Sequence, residues 1–137
     1  MDVTKIQLES AYVIKTEFED CKVVNPEPTS SGYIRIFFTR KLDAEANDTR
    51  LELFFIGEVV AYQGEETDAP DDSDRIFSYK IEFVLNYSGE FIEDELTSFL
   101  PDNEWFFKKD ANIFFSQKAM NFLSNTKYKN IDLPLQQ

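Results

Sequence analysis

Carboxylates and one thiol are the side chains of this chain that could do chemistry. Asp68, Asp71, Asp72 and Asp74 cluster in one short stretch, the raw material of a calcium loop or of an acid pair for glycosidic or metal-assisted hydrolysis. The spacing does not suit calcium, because an EF-hand loop needs a mid-loop glycine and a closing glutamate. Cys21 is the single cysteine, and there is no histidine. A cysteine nucleophile needs a neighbouring base, and histidine is the commonest one and a frequent metal ligand besides. Four glycines form neither a Walker-type nor a dinucleotide-binding pattern. The expectation is a protein without catalytic group, metal or cofactor, whose acidic stretch is a solvated loop.

Contact with another polypeptide is the chemistry that remains. Aromatic residues make up 15% of the chain, 14 of them Phe, and such rings offer large contact areas. Phe91, Trp105, Phe106, Phe107, Tyr128 and Ile131, all in the last third, are the candidate contacts, although core packing would account for any one of them. The formal net charge is -12, and seven acids with no base lie between Glu58 and Asp74. Phosphate binding needs a basic face, so nucleic acid is excluded as an expected partner. A basic protein partner, or solubility alone, fits the charge better. One alternative is therefore an acidic adaptor, inhibitor or immunity-type protein with one specific basic partner. Residues 1–137 suit a single domain. The chain shows no cleavable apolar leader and no apolar run of bilayer length, and its one cysteine forms no internal disulfide. A cytoplasmic location is expected.

These residues must be positioned by a sheet and a helix. Ile6 to Glu9 and Ala11 to Phe18 alternate apolar with polar, predicting a first strand. A second strand is predicted over 33–40, with Ile34, Ile36 and Phe38 on one face, followed by a polar connection over 42–50. The third strand, 51–62, is apolar on both faces and so calls for cover on both sides. A mobile acidic hairpin loop over 64–74 leads to the fourth strand, 75–87. Gly89 permits a bend, and a short helical turn over 94–100 should stop at Pro101. Asp102 or Asn103 could then cap a long helix reaching Ser124. Phe115, Ala119, Phe122 and Leu123 would face the sheet, and Trp105, Phe106, Phe107, Ile113, Phe114 and Met120 broaden the arc beyond one stripe, so the second side is expected to meet another subunit. The fold class is α+β: a four-stranded antiparallel sheet with one long helix packed on it.

The order of several short segments resembles SecB-type export chaperones. They are Lys5-Ile6-Gln7-Leu8-Glu9, Gln63-Gly64-Glu65-Glu66-Thr67, Gly89-Glu90-Phe91-Ile92, Asn112-Ile113-Phe114-Phe115 and Tyr128-Lys129-Asn130-Ile131-Asp132-Leu133-Pro134. Ser116-Gln117 stands where the family has Pro-Tyr. The family's second, C-terminal helix has no counterpart before Gln137, so the client groove is expected to be open on that side. The resemblance implies an ATP-independent holdase for unfolded or pre-secretory polypeptides, assembled as a dimer or tetramer. It also implies that the translocation motor SecA is a possible partner, docked through the acids that map to Glu65 and Glu66. SecB-like chaperones further protect antitoxins of toxin–antitoxin systems.

Overall fold

The computed structural model describes residues 1–21 and 32–128, without the side chains of Leu42 and Asp43. Four strands form one antiparallel sheet: β1 (Gln7–Asp20), β2 (Gly32–Ala46), β3 (Arg50–Gln63) and β4 (Arg75–Ser88), in the order β1-β4-β3-β2. Two helices follow, α1 (Glu93–Asp102) and α2 (Glu104–Leu123).

Period-two alternation sets which side chains meet the helices. On β3, Leu51, Leu53, Phe55 and Val59 are buried, and on β4 so are Phe77, Tyr79, Ile81, Phe83 and Leu85. Leu53 lies opposite Leu85 and Phe55 opposite Phe83, so the two central strands present one continuous apolar surface. Onto it α2 lays Phe107, Ala111, Phe115, Ala119 and Leu123, an unbroken four-residue spacing down its inner side. At Gly57 the Phe115 ring of α2 occupies the space a Cβ would need. Each large ring so buried stabilises the fold by about 1.5–3 kcal/mol.

The expected cover on the second face of β3 is incomplete. Val60 and Tyr62 are buried there, while Phe54 and Ile56 stay half-buried on the face turned away from the helices.

Two boundaries differ from expectation. The segment after Arg40 is not a polar connection: β2 continues to Ala46 past a bulge, with Ala44 opposite Leu53 and Ala46 opposite Leu51. The turn comes only at Asn47, whose Oδ1 accepts from the backbone N–H groups of Thr49 and Arg50. Pro101 sits inside the last turn of α1 and the helix ends one residue beyond it, at Asp102, since the ring removes one helical hydrogen bond and crowds the carbonyl four residues back. Asn103 does separate the helices, but its side chain donates back to the Phe99 carbonyl at 2.9 Å and does not cap α2.

Chain direction after β4 is fixed by two backbone bonds. The N–H groups of Gly89 and Phe91 donate to the carbonyls of Thr49 and Asp48, so the bend rests on the β2–β3 turn. The acidic stretch between β3 and β4 is a loop entered through Gly64 at φ 95°, a conformation that favours glycine.

Candidate interaction surfaces

The helix face opposite the core is the first candidate surface. Trp105 is 65% exposed, and Ile113 and Met120 are 40% and 43% exposed. Trp105, Lys109, Ile113 and Gln117 repeat every four residues, the same spacing as the buried line, with Met120 beside Gln117. Apolar residues therefore lie on both sides of α2, which accounts for the broad arc read in the sequence. Phe106 is half-buried, packed edge-on against Phe107 and Trp105 and facing Tyr87.

The remaining predicted contacts separate sharply. Phe91 and Phe107 are 5% and 1% exposed, so the structure removes both from the surface. Phe91 lies under Gly89 and Ile6, and Phe107 lies on the inner line of α2 against Tyr87 and Phe99. Tyr128 is half-buried, its ring 4.5 Å from that of Phe77 and its hydroxyl donating to Asp20 Oδ1 at 2.8 Å. Burial, followed by that contact, raises its phenol pKa. Ile131 lies outside the described residues, as do the other residues of the expected C-terminal segment after Tyr128.

The outer sheet face is the second candidate. Tyr12 and Phe37 are nearly half exposed there, set among rows of alternating charge such as Glu17, Lys80 and Glu58. Ion pairs from Lys41 to Glu82 at 2.6 Å and from Lys15 to Glu17 at 2.7 Å lie on the same surface. Pairs this exposed add little stability; they hold the face polar between its aromatic islands.

Glu65 and Glu66 are exposed on the β3–β4 loop together with Asp68, Asp71 and Asp72. The loop is stitched locally: Asp71 accepts the Ser73 N–H at 3.0 Å, which lowers its carboxyl pKa. Among the described residues, no group of three or more His, Cys, Asp or Glu is arranged to hold a metal ion. The Cys21 thiol is half-buried, and desolvation followed by the charge of Glu19 pushes its pKa up, away from the reactive thiolate. Among the described residues, no helix is long and apolar enough to cross a membrane.

Two features were not visible in the sequence. A half-open groove of about 380 Å³ lies between the end of β2 and α1, lined among others by Arg40, Ala44, Ala46, Leu96, Leu100 and Pro101. Its β2 side includes Ala44 and Ala46, which the sequence leads one to expect in a connection. Asp110 and Asp20 each accept a tyrosine hydroxyl, from Tyr87 at 2.9 Å and Tyr128 at 2.8 Å. Burial and then the Asp110 charge drive the Tyr87 phenol far above its ordinary pKa. Ser116, in place of the proline of the resembling family, is buried while α2 runs through it without interruption.

No protein-family model and no curated protein matches the chain. Among solved structures, the SecB-like chaperone Rv1957 of Mycobacterium tuberculosis, in complex with a ChAD peptide from the HigA1 antitoxin, is similar to it. The TM-score is 0.68, covering 96% of this chain and 91% of that one, at 9% sequence identity. At that identity the likeness is one of fold. The chain therefore has the α+β, SecB-like fold that its strand and helix pattern leads one to expect.

Proposed function

We propose that the protein is an ATP-independent holdase that binds unfolded polypeptide segments. The observation that carries this reading is the exposed apolar line Trp105, Ile113 and Met120 on α2. A helix with its inner side already filled by core has no folding reason to carry a second apolar side. The SecB-like fold supports the reading, and the neighbour's bound peptide gives it a client class, a segment of another protein. The contact set is Trp105 and Phe106, joined by Ile113 and Met120. Weak contacts of this kind, each worth about 1.5–3 kcal/mol when fully buried, hold a flexible chain when several act together. Assembly into a dimer or tetramer would multiply them, and the net charge of -12 keeps such a surface soluble. Pre-secretory clients, a cytoplasmic setting and docking of SecA at Glu65 and Glu66 belong to the same proposal.

Suppression of aggregation tests it. The purified protein should keep a chemically denatured model enzyme from scattering light at near-stoichiometric ratio, without ATP. Undiminished aggregation at excess protein would reject the holdase.

The exposed carboxylates of the β3–β4 loop favour a second reading, an adaptor for one basic protein. That reading requires salt-sensitive, one-to-one capture. Lysine substitution at Glu65, Glu66 and Asp68 should abolish such capture and leave aggregation suppression intact.

A further inference from the structure

We propose that Phe18, Phe77, Phe122 and Asp20 form a receptacle for a tyrosine side chain, filled in cis by Tyr128 and contested by a tyrosine of a bound unfolded segment. The inference rests on the holdase reading and adds a side-chain preference to it. Phe77 is fully buried and forms the floor, its ring tilted 34° to that of Tyr128. Phe18 makes a wall 6.5 Å from Tyr128 and is itself backed by Phe122 at 5.1 Å. The far end of the seat is polar. Asp20 closes β1 opposite Phe77, and its Oδ1 accepts the Tyr128 hydroxyl while its Oδ2 meets Lys127 Nζ at 3.0 Å. An aromatic ring bearing a hydroxyl donor is therefore what the site takes: a phenylalanine would fill it without serving Asp20.

The occupant follows directly on the turns that end α2. Helix α2 ends at Leu123, and the turns after it are held by the Ser124, Asn125 and Thr126 N–H groups. Among the described residues, the Tyr128 N–H donates to the neighbouring Thr126 hydroxyl, while its ring meets Phe77, Phe18 and Lys127 and its phenol meets Asp20. The seat lies at the margin of the sheet, where β1 is an edge strand, and Tyr128 in it is half-buried. A site occupied in cis binds an outside ligand more weakly by the fraction of time it stands empty. Emptying it by mutation removes that penalty.

Fluorescence anisotropy with a short labelled Ser/Thr/Val peptide carrying one central Tyr, and with its Phe and Ser counterparts, reads this directly. Tyr128→Ala should bind the Tyr peptide at least about fivefold more tightly than the unmutated chain. It should rank Tyr above Phe above Ser, and Asp20→Asn in the same background should erase the Tyr-over-Phe preference. Equal affinity for all three peptides, or no gain on Tyr128→Ala, overturns the receptacle. Should Tyr128→Ala fail to fold, the unmutated chain labelled with 3-fluorotyrosine is titrated instead. The Tyr128 resonance, assigned with Tyr128→Phe, should move as the Tyr peptide is added, and a resonance that stays fixed overturns the proposal. Aggregation suppression by the same unmutated protein separates the two claims. Suppression without any tyrosine preference sinks the receptacle alone, whereas tyrosine preference without suppression sinks the holdase and leaves the receptacle standing.

Discussion

Gly57→Ala should destabilise the protein, because α2 is seated on that glycine. A Cβ at position 57 would lie 2.6 Å from Phe115 Cδ2 and 2.9 Å from Cγ, whereas carbon atoms in good contact stand about 3.5–4.0 Å apart. Phe115 cannot retreat cheaply. It is fully buried, meets Phe38 edge-on at 5.1 Å and stacks on Tyr79 at 6.1 Å. Overpacking of this kind costs about 1–3 kcal/mol. Replacing glycine inside a strand returns about 0.5–1 kcal/mol. A 2.6 Å approach places the overpacking at the upper end of that range, so the net loss is about 2–2.5 kcal/mol, a fall of about 6–12 °C in Tm for a chain of this size. Thermal and urea unfolding followed by circular dichroism measure it. The same substitution in a Phe115→Leu background should cost clearly less, since the smaller side chain frees the contested space. A Gly57→Ala protein as stable as the parent would refute the seating of α2, and with it the outward direction assigned to Trp105 and Ile113.

Two further outcomes follow from the same structure. Tyr87→Phe deprives the half-buried Asp110 of its hydroxyl donor and should cost about 1–2 kcal/mol in urea unfolding. The folded state holds the Tyr87 phenol protonated while an unfolded tyrosine releases its proton above about pH 10. This contribution is therefore fully present below about pH 10 and is lost as pH rises further, and Tyr87→Phe should flatten part of that alkaline decline. Trp105→Ser removes an exposed ring, so stability should change by less than about 0.5 kcal/mol, while the protein needed to suppress aggregation should rise severalfold.

The sheet and the long helix were legible because their apolar periods are long and clean. Leu51 to Tyr62 is a dense apolar run and Phe77 to Leu85 alternates apolar with polar up to Val84, and the structure places β3 and β4 there. Residues 42–46 were not legible as strand: Ala44 and Ala46 are small, and acids flank them. Their membership depends on pairing with Leu53 and Leu51, a tertiary contact that no local pattern announces. The site was half legible for a related reason. Composition marked Phe91, Trp105, Phe106 and Phe107 alike as apolar, but only the placement of α2 on Gly57 turns Phe107 inward and Trp105 outward. Asp20 and Asp110 were invisible as tyrosine partners because each contact joins segments separated in the chain, by 108 and 23 residues.

Trp105 is the single tryptophan and stands on the proposed client surface, so its fluorescence tests the central claim most directly. Adding a denatured client that lacks tryptophan should shift its emission to the blue and shield it from iodide quenching, saturating at the ratio that suppresses aggregation. Emission and quenching that stay unchanged while the client is held soluble would contradict the account, because the gripping surface would then lie elsewhere.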